Sequence, residues 1–327
     1  MPIYNGGVWL RDAVLSVLRQ TLTSFELIAV DDGSSDSTPD VLRQLAVTDS
    51  RLRVVRQPHL GLVAALNRGL AEATAPLIAR LDADDIAHDR RLERQVAFLA
   101  DQPRVGVVGS WVTEIDMEGR PRGRREPPCT PQEIRQALRR TNPLVHSAIM
   151  ARTALLRALG GYRNAFEAAE DYDMWLRVSD VADLANMPEA LVDYRVHAGS
   201  VSQRKALRQC FSVRLAQRSA EARLAGRPDP AERLTMPPDW SHAVGENAFW
   251  VDDAALYRWL DGGQLSIDPP RNFVGLTHAE RRLAAHATWA RMRSPDRLEA
   301  ADARTFVLEL LREQPGLVLK AAWSLRA

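Results

Sequence analysis

The chain has 327 residues, 46% hydrophobic and 26% charged, the profile of a folded globular protein with room for more than one folding unit. Its 43 basic and 42 acidic side chains leave a net charge of +1, which excludes the electrostatic footprint of a nucleic-acid binder. Cys129 and Cys210 form no metal-spaced or redox motif, no run approaches the roughly eighteen apolar residues of a membrane span, and no signal-peptide pattern is present.

In chain order, Val8 to Gln20 carries apolar residues at helical spacing, and Phe25 to Val30 is an apolar strand running into Asp31-Asp32-Gly33-Ser34. Ser37 caps a helix with Pro39 in its first turn, ending near Ala46. A strand at Leu52 to Arg56, a helix at Leu62 to Ala73, a strand at Pro76 to Ala79, a helix from about Asp89 to Ala100 and a strand at Val105 to Val108 follow. Such alternation predicts a mostly parallel sheet covered on both faces.

From Trp111 the rhythm changes. A strand-like piece ends at Glu118-Gly119, Arg120 to Pro131 reads as a loop, Pro131 to Arg140 as a helix and Val145 to Met150 as a strand. Gly160-Gly161 breaks the next helix, Glu170 to Val178 is helical, and two short strands are expected at Ala182–Asn186 and Leu191–Val196. Helical patterns then cover Gln203 to Ala225, Ala243 to Leu260, His278 to Met292 and Ala301 to Arg312. A domain boundary is expected near 203, giving units 1–202 and 203–327, with the second of unassigned role. Its tryptophans, Trp240, Trp250, Trp259, Trp289 and Trp323, fit ordinary packing, and its Arg-faced helices also suit peripheral contact with a membrane surface.

Three acidic clusters carry the chemistry. Asp82, Asp84 and Asp85 follow a short buried strand; such crowded carboxylates repel unless a cation resolves them, although an acidic turn capping the next helix is the plainer alternative. Asp31 and Asp32 end another strand of the same sheet, on the edge where open α/β sheets bind ligands. In the third cluster, Glu170-Asp171-Tyr172-Asp173, Asp171 and Trp175 share a helix face, and a carboxylate kept ionised at that helix start can act as a general base.

Taken together, Pro2-Ile3-Tyr4-Asn5-Gly6-Gly7, Phe25 to Ser34, Ala79-Arg80-Leu81-Asp82-Ala83-Asp84-Asp85, Arg90 to Gln95, Glu170 to Arg177 and Tyr194-Arg195-Val196-His197 resemble the family 2 glycosyltransferases of the GT-A fold, over about residues 1–202. The resemblance implies a Rossmann-like, mostly parallel sheet with a helical C-terminal extension. It implies an inverting, metal-dependent transferase that takes a UDP-, GDP- or dTDP-sugar donor and a glycan or lipid-linked acceptor, in cell-envelope or exopolysaccharide synthesis. Its location would be cytoplasmic, with peripheral contact at the inner face of the membrane as an option. Tyr4 would lie against the nucleotide base, Asp32 would accept a hydrogen bond from it with Asp31 beside it, and Asp82 would contact ribose or the metal shell. Asp84 would hold Mn²⁺ or Mg²⁺ against the diphosphate, with His197 as a further metal or diphosphate contact. Asp171 would be the base, with Glu170 and Trp175 positioning acceptor or base, and Asp85 a turn residue. His146 is expected to be structural.

One departure stands out: members of the family begin with a further apolar strand before the Pro-x-Tyr-Asn segment, and here Met1 falls where that strand ends, so a start upstream is expected. A degenerate, non-catalytic nucleotide-sugar binder is the alternative function. A sugar-phosphate nucleotidyltransferase is a weaker one, because Asn5-Gly6-Gly7 supplies no basic phosphate loop.

Overall fold

The computed structural model describes residues 1–197 and 206–239 and Tyr257. Three parallel strands form the N-terminal sheet in the order β1 (Pro2–Ile3), β2 (Leu27–Asp31) and β3 (Leu52–Arg56). All five residues of β2 are buried, as an apolar strand covered on both faces must be. The helices α1 (Leu10–Leu18) and α2 (Thr38–Thr48) connect these strands and α3 (Leu62–Glu72) follows them; α1 and α2 pack on the sheet through Leu10, Val14, Leu42 and Leu45, and α3 through Ala65.

A second, six-stranded sheet is mixed. It comprises β4 (Leu77–Ala79), β5 (Ile86–Ala87), β6 (Val105–Ile115), β7 (Pro121–Arg125), β8 (Met150–Arg152) and β9 (Asp183–Arg195), in the order β4-β8-β6-β9-β5 with β7 on β6. Only β6 and β9 run parallel in it, so the mostly parallel expectation holds for the first sheet and this pair, while β4, β5, β7 and β8 pair antiparallel. The remaining helices are α4 (Arg91–Asp101), α5 (Pro131–Leu138), α6 (Thr153–Ala158), α7 (Glu170–Ser179) and α8 (Ala206–Leu224). Thr130 and Glu133 close a reciprocal cap at the start of α5, each satisfying a backbone N–H that the helix leaves free.

Four local expectations are corrected. The Arg/Pro segment predicted as a loop contains β7, which is exposed throughout and so shows no in–out alternation to read. Val145 to Met150 is not one strand: His146–Ala148 forms a 3₁₀ turn and the strand starts at Met150. The two short strands after α7 are one, β9, whose register against β6 shifts beside Pro188, so the proline is absorbed at an irregularity. The strand ending at Val108 and the piece after Trp111 are likewise one strand, β6.

Phe211, Leu215, Ala216 and Ala220 of α8 join the core formed by Tyr172, Met174 and Trp175 of α7, so this part of the region after 203 shares the first unit's core. The helices predicted at 278–292 and 301–312, and all of that at 243–260 except Tyr257, lie outside the described residues. The two sheets are separate between β2 and β4. An apolar cavity of about 430 Å³ lies there, lined by Leu27 and Ile28 of β2, Leu77 and Ile78 of β4, and Leu66 and Gly69 of α3. The Met1 amine at its border donates to Ile28 O at 2.9 Å, and burial pushes its pKa down to about 5.

Candidate active site

The acids after β4 form one cluster. Asp82, Asp84 and Asp85 each bring an oxygen within 4.8 Å of the others. Their surroundings separate their roles. Arg80, buried, forks onto both oxygens of Asp82, and Ser147 Oγ accepts from the Asp82 N–H at 2.9 Å. Asp84 is partly exposed and faces His197 Nε2 at 3.0 Å. Asp85 is buried rather than a surface turn residue: its Oδ1 accepts the Arg195 N–H at 2.7 Å, while Oδ2 has no hydrogen-bond partner among the described residues. Burial, then repulsion from Asp82 and Asp84, pushes Asp85 up to about 8. An orphaned buried oxygen within a set of hard carboxylate donors is an arrangement a divalent cation fits.

Across Arg80 lies the second cluster, at the start of α7. The Arg80 charge acts on Asp82 and Asp85 on one side and on Glu170, Asp171 and Tyr162 on the other, so both clusters share one electrostatic site. Asp171 Oδ1 accepts from the Tyr172 N–H at 2.7 Å and Oδ2 from Asn142 Nδ2 at 2.8 Å. Leu144 N–H, donating to Asn142 Oδ1 at 3.1 Å, fixes which end of that amide faces Asp171. Burial raises the pKa of Asp171, but Tyr172, Arg80 and Asn142 oppose the shift. Glu170 is pushed up to about 8, first by burial and then by Asp171. Both carboxyls of the pair are thus pushed upward, and Asp171 is the one whose charged form accepts hydrogen bonds from both Asn142 and the Tyr172 N–H.

His146 backs this pair. Its Nε2 lies 3.0 Å from Tyr162 Oη, its Nδ1 4.0 Å from Glu170 Oε1, and its ring meets Trp175 edge-on at 5.7 Å. Burial, with Arg80 adding to it, holds its pKa well below the usual value, so it is neutral. Trp175 is 0% exposed, so any part it has in positioning an acceptor acts through His146. Gly161 adopts φ +73°, and a Cβ there would come within 2.5 Å of Asn67 Oδ1, the oxygen that accepts from the Tyr162 N–H. The glycine pair thus sets Tyr162 in place as well as ending α6.

The third element is the loop edge of the N-terminal sheet. Asp31 is buried and accepts the Ser34 N–H at 2.9 Å, a turn-closing contact. Asp32 accepts from Gln57 Nε2 at 2.7 Å, His59 Nδ1 at 2.9 Å, Leu60 N at 2.9 Å and Gly61 N at 2.8 Å. Burial pushes its pKa up, but these donors, led by the Leu60 N–H, more than reverse the effect and hold it ionised. Tyr4 is 49% exposed and stacks on His59, with ring centroids 3.9 Å apart.

Sequence reasoning missed several residues that organise these acids: Asn142, Arg195, His59 and Trp9. The Trp9 ring meets His197 at 5.0 Å and Arg195 at 5.2 Å, and its indole N–H donates to Met117 O. Arg195 lay in the Tyr194–His197 segment without a role of its own, and the role of each depends on a partner far away in the chain.

An acid cluster that could hold a cation after one strand, a paired carboxylate at a helix start and an acidic edge on the parallel sheet are features of a glycosyltransferase site. The sequence profile of Glycosyl transferase family 2 matches residues 1–160. The putative glycosyltransferase EpsE of Bacillus subtilis is 36% identical over 209 residues, covering 62% of this chain and 74% of the relative. The amylovoran biosynthesis glycosyltransferase AmsE of Erwinia amylovora is 32% identical over 198 residues, covering 60% and 74%. The mannosyltransferase PcManGT from Pyrobaculum calidifontis, solved in complex with GDP-Man and Mn²⁺, superposes with a TM-score of 0.54 over 98% of this chain and 84% of its own, at 19% identity, which shows a shared fold. The chain belongs to glycosyltransferase family 2.

Proposed function

We propose that the protein transfers a sugar from a nucleoside-diphosphate donor to an acceptor hydroxyl, with inversion at the anomeric carbon and with Asp171 as general base. The observation that carries this reading is the geometry at the start of α7: both oxygens of Asp171 accept hydrogen bonds, from Asn142 and the Tyr172 N–H, which favour its charged form, beside the buried Glu170. A general base must reach its charged form at working pH, and hydrogen-bond donors aimed at a carboxylate are what favours that form in a buried site.

Asp84, with Asp82 and Asp85 beside it and His197 behind, would hold the divalent cation, Mn²⁺ or Mg²⁺. When bound, such a cation neutralises charge building on the departing diphosphate. Arg80 keeps Asp82 oriented and offsets the repulsion that three carboxylates would otherwise exert on each other. Arg195 ties the cluster to β9: its backbone N–H bonds Asp85, and its side chain donates to the Asp84 and Asp116 carbonyls. Tyr4 and Asp32 are assigned to the base of a UDP-, GDP- or dTDP-sugar. The carboxylate edge and exposed aromatic ring support this assignment, as does the GDP-sugar in the PcManGT complex.

The acceptor is assigned to the glycan or lipid-linked class, in cell-envelope or exopolysaccharide synthesis, which the name of the AmsE relative supports. Among the described residues no helix is long and apolar enough to cross a membrane. The apolar residues Phe211 and Leu215 of α8 are committed to the core and are not available to a membrane surface.

The test is a panel of UDP-, GDP- and dTDP-sugars with Mn²⁺ or Mg²⁺, following nucleoside diphosphate release with and without acceptor mixtures. Asp171→Asn should keep donor binding and lose transfer by about 10²–10⁴-fold, the usual worth of a general base. Absence of both turnover and binding for every donor would overturn the reading.

A further inference from the structure

The contacts of His59 coincide with those the nucleobase is expected to make. The imidazole lies parallel on the Tyr4 ring, with centroids 3.9 Å apart and planes 20° from parallel. Its Nδ1, which carries the proton because it faces a carboxylate oxygen, reaches Asp32 Oδ2 at 2.9 Å. A carboxylate offers about four lone-pair sites. Those of Asp32 are taken by Gln57, His59, Leu60 and Gly61. With His59 in place, Asp32 has no site left for a ligand N–H, and one face of Tyr4 is covered.

We propose that His59 is a built-in occupant of the nucleobase subsite, stacking on Tyr4 and donating to Asp32 until the base of the donor displaces it. The proposal rests on the assignment of Tyr4 and Asp32 to the base. Of the four groups on Asp32, His59 is the one whose departure frees both the carboxylate and the ring. Leu60 and Gly61 donate from the backbone at the entry to α3, and Gln57 donates to Oδ1, the oxygen it shares with Leu60. The backbone at His59 is fixed: a Cβ on Gly33, whose φ is +73°, would come within 2.7 Å of the His59 nitrogen, so the two loops already touch. Displacement is therefore a rotation of the side chain, which is 53% exposed and loses little packing when it turns outward.

The geometry also selects the incoming base. To replace the imidazole N–H against Asp32, the base must present a ring N–H on the edge that faces the carboxylate. Uracil, thymine and guanine do so; the matching ring nitrogen of adenine or cytosine is an acceptor and would meet the carboxylate with lone pairs. His59 thus acts as a threshold, and a base unable to make both contacts cannot exchange for it.

Titration calorimetry with UDP, GDP and dTDP in the presence of Mn²⁺ tests the proposal on the full chain and its His59→Ala and Tyr4→Ala variants. Removing a competing occupant raises the binding-competent fraction, so His59→Ala should bind the preferred nucleotide about 3–30-fold more tightly. Tyr4→Ala should weaken it, and in the unaltered protein the His59 ring protons should shift in the NMR spectrum as nucleotide is added. Unchanged or weaker binding by His59→Ala, with Tyr4→Ala still weakened, would overturn the proposal while leaving the base subsite standing. If nucleotides bind and neither variant alters affinity, the assignment of the subsite itself falls, and the role of His59 with it.

Discussion

Glu170→Gln isolates the charge balance at the start of α7. The Glu170 carboxyl is buried beside Asp171, and its pKa rises from 4.5 to about 8 in the folded chain. A carboxyl that holds its proton more tightly when folded adds stability that is fully present below pH 4.5 and is lost as pH rises through about 8. Between these values the unfolded chain ionises the group while the folded one does not, and each pH unit removes about 1.36 kcal/mol. By about pH 7.5 the native protein should have lost up to roughly 4 kcal/mol on this account, with inward water or side-chain rotation relieving part of it. The Gln variant keeps the shape of the protonated acid and has no such slope. At roughly 2.1 cal/mol/K of unfolding entropy per residue, a difference of about 2–4 kcal/mol corresponds to a melting temperature about 3–6 °C higher for the variant at about pH 7.5, and to near equality at about pH 4.5. Thermal melts of both proteins across this range make the comparison. Parallel pH profiles would show that Glu170 ionises normally in the folded protein, and its raised pKa would be refuted.

Other substitutions address neighbouring claims. Asn142→Ala removes a donor to the ionised form of Asp171, so the acid limb of the rate–pH profile should move to higher pH and turnover fall about tenfold or more, with donor KM little changed. An unchanged profile would mean that Asn142 does not tune the base. Asp173, fully buried, accepts from Arg163 and Arg177; Asp173→Asn should destabilise the protein by about 3–5 kcal/mol by leaving the buried Arg177 and the half-buried Arg163 underpaired, read from denaturant melts or soluble yield, and a loss below about 1 kcal/mol would contradict this. Gly69, inside α3 at the cavity wall, would place a Cβ 3.6 Å from Val30, an ordinary contact, so Gly69→Ala should stabilise by about 1 kcal/mol from helix propensity; a lower melting temperature would show that the wall has no room.

The sequence by itself determined the strands and helices from α1 to α4 apart from the short β5, since the apolar period is local, and with it the placing of Asp32 and Asp84 after strand ends; the cap expected from Ser37 makes no side-chain hydrogen bond. The order of motifs likewise determined the family. Which acid does what was decided by tertiary structure. Asp171 and Asp173 are two residues apart on one helix with the same local pattern, yet Asp171 meets Asn142, from 29 residues earlier, while Asp173 is locked by two arginines. Asp85 looked like a turn residue until β9 placed the Arg195 N–H on it from 110 residues away. The single strand β9, interrupted in sequence by Pro188, and the exposed β7 both depend on β6 as a partner, and neither leaves a period of its own. The same holds for His59, an unremarkable loop residue in sequence, which only the folded chain lays across Tyr4 and Asp32. Hydrogen bonds and ring stacks between distant residues impose no spacing on a sequence, so the identity of each acid was local and its role was not.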